Sequence, residues 1–207
     1  MSDTEADSHT VYLTGDNNFR KTIYPAYKAQ RPTVKPKWLE VIRAHLVTEW
    51  GATITDGYEA DDALGIDQTT EIHHGFEGGE GIVICSIDKD LLMIPGQHYN
   101  FVHQKWTWVM SWDGLVSFYT SLLVGDAVDN IKGCPGIGKA KAPRLLEGCK
   151  TEWEMYQACL KQYQQVFKEN AESELLLNGQ LLWIWRHLED LWTPPQPVET
   201  NVLSTDN

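Results

Sequence analysis

The sequence predicts an α/β fold in which helices flank a mostly parallel central sheet. Short apolar segments of strand length alternate along the chain with longer segments whose apolar residues recur at helical spacing. Residues 82–87 form a continuous apolar run, which is typical of a strand buried on both faces of a parallel sheet. Acidic residues follow several of the predicted strands, at the sheet edge where open α/β proteins bind ligands.

The first half of the chain is predicted to contain two strands and two helices. A short strand at 11–13 leads into a loop rich in Arg, Lys and Tyr, and prolines keep this loop out of regular structure. Residues 37–50 are expected to form a helix because their apolar side chains recur at helical spacing. A strand at 52–55 and a helix at 61–73 follow.

The second half begins with the buried strand at 82–87. A hairpin is expected to pair residues 100–104 with 107–112, and Asp113 has the side chain of a helix N-cap. Residues 126–149 are rich in Gly and Pro and are expected to form a hairpin between two short helices. The longer helices of this half are expected at 113–124, 151–169 and 172–190.

Composition argues against a membrane or secreted protein. No segment approaches the roughly 18 uninterrupted apolar residues of a membrane helix. Residues 1–10 are too polar for a signal peptide and are expected to form a disordered tail. The four cysteines form no C-x-x-C pair, which favours an intracellular chain with reduced thiols. We therefore expect a cytoplasmic protein without a membrane partner.

The distribution of charge qualifies the overall acidity. A formal net charge of −12 argues against nucleic acid, because phosphate binding favours basic surface. However, residues 20–43 carry seven basic side chains and one acid, and residues 132–150 carry five basic side chains and one acid. Two basic segments around an acidic centre suit a protein that binds phosphates beside metal-binding carboxylates. Chance clustering on solvated surface is the alternative.

Short acidic motifs predict a metal centre. E-x-D-D opens the helix at 61–73, D-x-D follows the buried strand, and D-x-x-D precedes the Gly-rich hairpin. Carboxylates gathered at one sheet edge repel one another unless cations neutralise them or some stay protonated. Mg²⁺ or Mn²⁺ fits best, and two such ions about 4 Å apart can hydrolyse a phosphodiester. Each acid alone is better explained as a helix cap or first-turn acid, whereas the combination favours metal. The candidate ligands are Asp16, Glu59, Asp61, Asp62, Asp88, Asp90, Asp126 and Asp129.

The segment GCPGIGK at 133–139 has three interpretations. It fits the G-x-x-x-x-G-K pattern of a nucleotide-binding P-loop, but Ala140 stands where Ser or Thr binds Mg²⁺, and no apolar strand precedes it. A helix-hairpin-helix fits better, because the turn at 135–138 can present backbone N–H groups to a DNA phosphate without reading sequence. A plain surface turn is the third interpretation. The residues expected to contact DNA here are Gly136, Gly138, Lys139, Lys141 and Arg144.

Four segments resemble the 5′ nuclease family, which includes phage 5′–3′ exonucleases, flap endonucleases and the 5′ nuclease domain of bacterial DNA polymerase I. They are FRKTIYPAYKAQRP, DGYEADDALG, SIDKDLLMI and GDAVDNIKGCPGIGKAKAPRLLEG, and they occur in family order. The resemblance implies a PIN-like nuclease core at 11–125, a helix-hairpin-helix DNA-binding subdomain at 126–150, and C-terminal helices and a tail at 151–207.

The resemblance also implies roles for individual residues. Lys28 and Arg31 would contact the scissile phosphate and stabilise its developing charge. The acidic residues would hold two Mg²⁺ or Mn²⁺ ions. A clamp loop at about 20–37 would pass a 5′ end, and the hairpin would grip duplex DNA with a K⁺ held by backbone carbonyls. The further DNA-binding residues of the clamp loop would be Arg20, Lys21, Lys35 and Lys37.

The chain departs from the family at its N-terminus. Family members begin with a strand that carries an early Asp, some tens of residues before the FR…YK segment, whereas about ten polar residues precede Val11 here. We therefore expect the first family strand, its Asp and an associated helix to be absent, which would expose a sheet edge. Three explanations stay open: a shortened gene model, a split gene whose partner chain supplies the strand, or a variant with weak or lost catalysis.

The leading hypothesis is a metal-dependent 5′–3′ exonuclease with flap endonuclease activity, acting in phage DNA replication or host DNA degradation. Its substrate would be duplex DNA with a 5′ end or flap, including RNA-primed DNA. Unless a partner chain supplies the missing strand, the protein is expected to be a monomer. The rival is a catalytically weak or inactive DNA-binding remnant, or one fragment of a split nuclease. A weaker alternative is an RNA-cutting relative with the same metal site. Trp183 and Trp185 are expected to fill core or surface rather than stack on bases.

Overall fold

The computed structural model describes residues 3–32, 34–73 and 81–197, and it confirms the α/β class. The strands are β1 (Tyr12–Thr14), β2 (Thr53–Thr55), β3 (Val83–Cys85), β4 (Gly96–Asn100) and β5 (Lys105–Val109). The α-helices are α1 (Phe19–Ile23), α2 (Leu39–Trp50), α3 (Ala60–His73), α4 (Ser111–Val124), α5 (Ala142–Leu146), α6 (Glu152–Phe167) and α7 (Ala171–Leu182). Within this part of the chain, no helix combines the length and apolar character that crossing a membrane requires.

The strands form two sheets rather than one continuous central sheet. β1 pairs with β2 in parallel, with Leu13 opposite Ile54. β3 pairs with β4 in parallel, with Ile84 opposite His98, and β5 adds an antiparallel edge. Helix α3 packs against β1, β2 and β3, so one helix supports both sheets.

The predicted hairpin is wrong in register. Residues 96–100 pair with 105–109, with Gly96 opposite Val109, instead of 100–104 with 107–112. The side chain of Asn100 accepts hydrogen bonds from the backbone N–H groups of Val102 and His103, which turns the chain where the pattern suggested a strand. Helix α4 then starts earlier than predicted, at Ser111, and Asp113 lies in its first turn instead of at the N-cap.

One apolar core joins the second sheet to helices α4 to α7. Ile84 of β3 is 2% exposed, and Phe118 and Tyr163 are fully buried on α4 and α6. Burying each such side chain contributes about 1.5–3 kcal/mol. Residues on both sides of positions 125 and 150 therefore share the same core.

The last predicted helix ends earlier than expected, at Leu182 instead of residue 190. The Asp190 carboxylate accepts hydrogen bonds from the Trp183 indole N–H and the Arg186 backbone N–H, which folds residues 183–190 into an irregular loop. Trp183 and Trp185 are only 8% and 5% exposed, and Trp185 stacks on Phe19 at 4.7 Å between ring centroids. Of the two placements expected for these tryptophans, core or surface, both occupy the core.

Two segments near the first sheet differ from expectation. Helix α2 forms as predicted but buries none of its residues, and its apolar Val41 and Ile42 stay more than half exposed. Residues 3–10, expected to be a disordered tail, contain no helix or strand but still make contacts. The Tyr99 hydroxyl donates to Asp3 at 2.9 Å, and the ring of His9 packs edge-on against Trp50.

Candidate functional site

The loop between α1 and α2 places two cations against acids from distant parts of the chain. The Lys28 ammonium pairs with Glu59, at the start of α3, and lies 3.6 Å from Asp129. The Arg31 Nε donates to the same Asp129 carboxylate at 3.1 Å. Lys28 and Arg31, for which the family resemblance implies phosphate contact, thus lie side by side at one site.

Tyr27 is a member of this site that the sequence analysis missed. Its side chain is 4% exposed, and its hydroxyl lies 3.0 Å from Glu59 and 3.3 Å from Asp129. Burial, and then the charge of Glu59, raises the pKa of Tyr27 far above its ordinary value, so it stays a neutral hydrogen-bond donor. Its position beside Lys28 in the sequence was the available signal, but only the folded loop shows where the hydroxyl points.

Four further carboxylates, Asp61, Asp88, Asp90 and Asp126, form what we call the acidic rim. Burial, with the neighbouring Asp88 and Glu59 carboxylates, raises the pKa of Asp61 to about 6. Burial, with Asp88 and Asp126, also raises the pKa of Asp90. The acids that follow β3 and those at the start of α3 therefore lie close enough to repel one another. Such a gathering is what the sequence predicts for acids that follow strands.

The acidic rim suits a hard cation by donor type. It offers oxygen ligands only, and its carboxylates repel one another in a way that a divalent ion would relieve. Within residues 3–32, 34–73 and 81–197, however, no group of three or more His, Cys, Asp or Glu side chains is arranged to hold an ion.

The structure corrects the predictions for Asp62 and Arg20. Asp62 is fully buried and accepts two hydrogen bonds from the Arg20 guanidinium, at 2.6 and 2.8 Å. The backbone N–H groups of Glu59 and Trp185 donate to the same carboxylate, so its oxygens are engaged within the protein rather than available to a metal. Arg20 is 2% exposed and also donates to two backbone carbonyls, so it is a structural side chain and not a DNA contact.

Asp16 is also placed differently from expectation. It is exposed and lines a cavity of about 610 Å³ between α2 and the first sheet. No contact among the described residues joins it to the acidic rim, so the structure does not bring it to the other predicted ligands. The remaining clamp-loop cations, Lys21, Lys35 and Lys37, are exposed, and Lys35 pairs with Glu40 at 2.9 Å.

Residues 135, 136, 138 and 139 of the glycine hairpin are exposed, and the short helix expected before it is absent. Residues 126–131 instead form a turn closed by a β-bridge between Asp126 and Ile131. Gly125 and Gly133 approach so closely that a side chain on Gly133 would lie 2.3 Å from the Gly125 nitrogen. Ile137 is buried and anchors the hairpin, and α5 follows it. The exposed hairpin residues are Gly136, Gly138, Lys139, Lys141 and Arg144.

The raised pKa of Asp61 predicts that the metal-free chain gains stability as pH falls from about 7 to about 5. An acid whose pKa is higher in the folded chain binds its proton preferentially in the folded state, so protonation favours folding. The window lies between the ordinary value of 3.8 and about 6. Urea denaturation with EDTA at the two pH values measures the gain. Asp61→Asn should reduce it, and an undiminished gain in that variant would contradict the prediction.

Residues 1–117, more than half of the chain, match the family described as 5′–3′ exonuclease, N-terminal resolvase-like domain. The chain belongs to this 5′–3′ exonuclease family. The thermostable DNA polymerase I of Thermus thermophilus is a relative, 32% identical over an alignment of 189 positions that covers 84% of this chain and 20% of the polymerase. The chain thus spans about a fifth of the length of that relative.

Solved structures confirm the fold class. A T5 protein co-crystallised with metal ions has a TM-score of 0.61 and 17% identity, over 87% of this chain and 76% of that one. A bacteriophage T5 flap endonuclease, in a pseudo-enzyme-product complex with DNA and metal ions, has a TM-score of 0.50 and 14% identity over 84% of each chain. At these identities, the likeness is one of fold.

Proposed function

We propose that the chain is a divalent-metal-dependent 5′–3′ exonuclease with flap endonuclease activity on DNA. The observation that carries the proposal is that Lys28 and Arg31 pair with Glu59 and Asp129, whose charges also act on Asp61 and Asp90 of the acidic rim, within a chain of the 5′–3′ exonuclease family. Carboxylates that can hold divalent ions, beside cations that can stabilise a phosphate, suit metal-dependent phosphodiester hydrolysis.

In this proposal, the acidic rim holds two Mg²⁺ or Mn²⁺ ions, with Glu59 and Asp129 completing the set. The ions would supply charge stabilisation at the phosphate and favour ionisation of the attacking water. Lys28 and Arg31 bind the scissile phosphate and stabilise the negative charge that develops on its oxygens. The buried Tyr27 hydroxyl donates to Glu59 and lies 3.3 Å from Asp129, so it stands between the two carboxylates.

The DNA would be bound at two further places. The exposed hairpin at 133–139 presents backbone N–H groups and nearby cations to the duplex backbone, with a K⁺ held by its carbonyls. The clamp loop adds Lys21, Lys35 and Lys37 near the 5′ strand. The complex of the T5 flap endonuclease with DNA and metal ions supports DNA as the partner.

The proposed setting is phage DNA replication or host DNA degradation in the host cytoplasm. The family includes domains of DNA polymerase I, which supports a role on replication intermediates such as RNA-primed DNA. Residues 11–125 would form the nuclease core, 126–150 the duplex-binding unit, and 151–207 the C-terminal helices and tail.

We also propose that a partner chain supplies a strand to the first sheet. β1 pairs only with β2, and β3 only with β4, among the strands that the structure describes. Both sheets rest on α3, so a strand bound at their free edges would join them into the continuous sheet that the sequence predicts. Without such a partner, the chain is proposed to be a monomer.

The experiment that tests the proposed function is incubation of the purified chain with a 5′-flapped duplex in Mg²⁺ or Mn²⁺. Cleavage near the junction is expected with metal and is expected to stop with EDTA. A duplex with a 3′ flap is the control, and it should be cut far less because the clamp loop receives a 5′ end.

The rival function is DNA binding without catalysis. The observation that favours it is that Glu59 and Asp129 are engaged by Lys28, Arg31 and Tyr27, while no three described acids already form an ion site. Binding of the flapped duplex without cleavage at any metal concentration would support this rival.

A further inference from the structure

Asn130 links the clamp loop to the turn that precedes the glycine hairpin. The Asn130 side-chain amide donates to the backbone carbonyl of Ala26 at 2.9 Å. Its carbonyl oxygen accepts a hydrogen bond from the Gln30 side chain at 2.8 Å. Beside them, the Lys28 backbone N–H donates to the Asp129 carbonyl at 3.0 Å. These bonds hold both ends of the Lys28 segment.

The backbone of Asn130 is suited to this contact. Its φ of 61° lies in the left-handed region, which Asn enters more readily than most residues. Lys28, across the contact, also has a positive φ, of 57°. The left-handed backbone at Asn130 reverses the chain within the 126–131 turn, and its side chain contacts the neighbouring loop.

The turn that carries Asn130 is itself held firmly. Backbone hydrogen bonds of 2.7 and 2.9 Å close the bridge between Asp126 and Ile131, and Ile131 is buried. The Gly133 N–H donates at 3.1 Å to the buried Asn178 side chain of α7. The clamp loop from 24 to 31 makes local turns, and its buried Tyr27 packs in one cluster with Ile131 of this turn and Leu181 of α7. The rigid turn therefore sets the position of the loop.

We infer that Asn130 is a positioning residue that fixes the clamp loop so that Lys28 and Arg31 reach the scissile phosphate. The inference rests on the proposed function for the roles of those two cations. Asn130 acts through Ala26 and Gln30 rather than on the substrate. Asn130 lies in the turn that leads into the proposed duplex-binding hairpin. The same turn therefore supports both the duplex contact and the placement of the two cations.

The test compares Asn130→Gly with Gln104→Gly. Glycine keeps the positive φ at either position, and Gln104 is an exposed residue with a φ of 51° in the β4–β5 turn, far in sequence from the clamp loop. For N130G we expect kcat on the 5′-flapped duplex to fall by about tenfold or more, because small misplacements of charge are costly. KM should stay within about threefold. Amide hydrogen exchange at Lys28 should become about tenfold faster, and exchange at Ile137 should not change.

Each outcome is decisive. Equal kcat for N130G, Q104G and the unmodified chain would overturn the inference, and so would a loss confined to DNA binding. If the unmodified chain does not cleave, the proposed function fails. The hydrogen-exchange measurement then still tests whether Asn130 positions the clamp loop. Unchanged protection of the Lys28 amide from exchange in N130G would then overturn the positioning role. Lost protection would support that role even in a chain that does not cleave DNA.

Discussion

Replacing Asp61 or Asp88 with Asn is expected to abolish metal-dependent cleavage while the chain still folds and still binds DNA. Asn keeps the shape of the side chain but removes the charge that a divalent ion needs from its ligand. Asp88 and Asp61 repel each other in the acidic rim, so each contributes to the same local potential. We expect the single-turnover rate on a 5′-flapped duplex to fall by about a thousandfold or more, as expected when a metal-dependent step loses its ion.

Asp113→Asn is the matched control for this experiment. Asp113 is an exposed acid in the first turn of α4 and lies outside the acidic rim, so its removal should leave the rate unchanged. Binding of the duplex, measured by fluorescence anisotropy in Ca²⁺, should be similar for all variants because Lys139, Lys141 and Arg144 remain. Undiminished cleavage by both D61N and D88N would contradict the role given to the rim.

Replacing Arg20 with Met is expected to cost about 3–5 kcal/mol of unfolding free energy, as does breaking a buried ion pair at one partner. Asp62 has no solvent exposure, and Met would leave its carboxylate with only the Glu59 and Trp185 backbone donors. The same guanidinium holds the carbonyls of Leu181 and Trp183, so the C-terminal loop should loosen as well. Since a domain is stable by about 5–15 kcal/mol, this loss is measurable by urea denaturation.

Lys21→Met provides the control for Arg20. Lys21 is the next residue on α1 and is exposed, so its loss should change the free energy of unfolding by less than about 0.5 kcal/mol. If Arg20 were instead a DNA contact, R20M would weaken DNA binding and leave stability unchanged. That result would contradict the structural role. The double variant R20M/D62L should recover stability relative to R20M, because it removes the unpaired buried charge.

The adjacent pairs Asp61/Asp62 and Arg20/Lys21 show what the sequence can and cannot predict about the site. Both acids fit the E-x-D-D motif, and both cations belong to the basic segment at 20–43. Successive residues on a helix point about 100° apart, so one member of each pair faces the site or solvent and the other faces the core. A motif gives residue types and their spacing. Which face of the helix is buried depends on the other elements that pack against it.

Other differences have equally local causes. The strand-end rule expected the acids to gather at one sheet edge, and the Asp88 charge does act on the pKa of Asp61. The rule assumed one continuous sheet, however, whereas β2 and β3 belong to separate sheets. The hairpin register depended on the side-chain hydrogen bonds of Asn100, which no alternation of apolar residues reveals. Tyr27 and Asn130 were missed because their roles arise only when the clamp loop folds against residues about a hundred positions later.

Calorimetric titration of Mn²⁺ into the chain in the presence of DNA tests most directly whether the acidic rim is a metal centre. We predict saturable binding of up to two ions, lost in D61N and D88N and unchanged in D113N. Absence of saturable binding, or equal binding by all of these variants, would contradict the assignment of the metal centre to this rim.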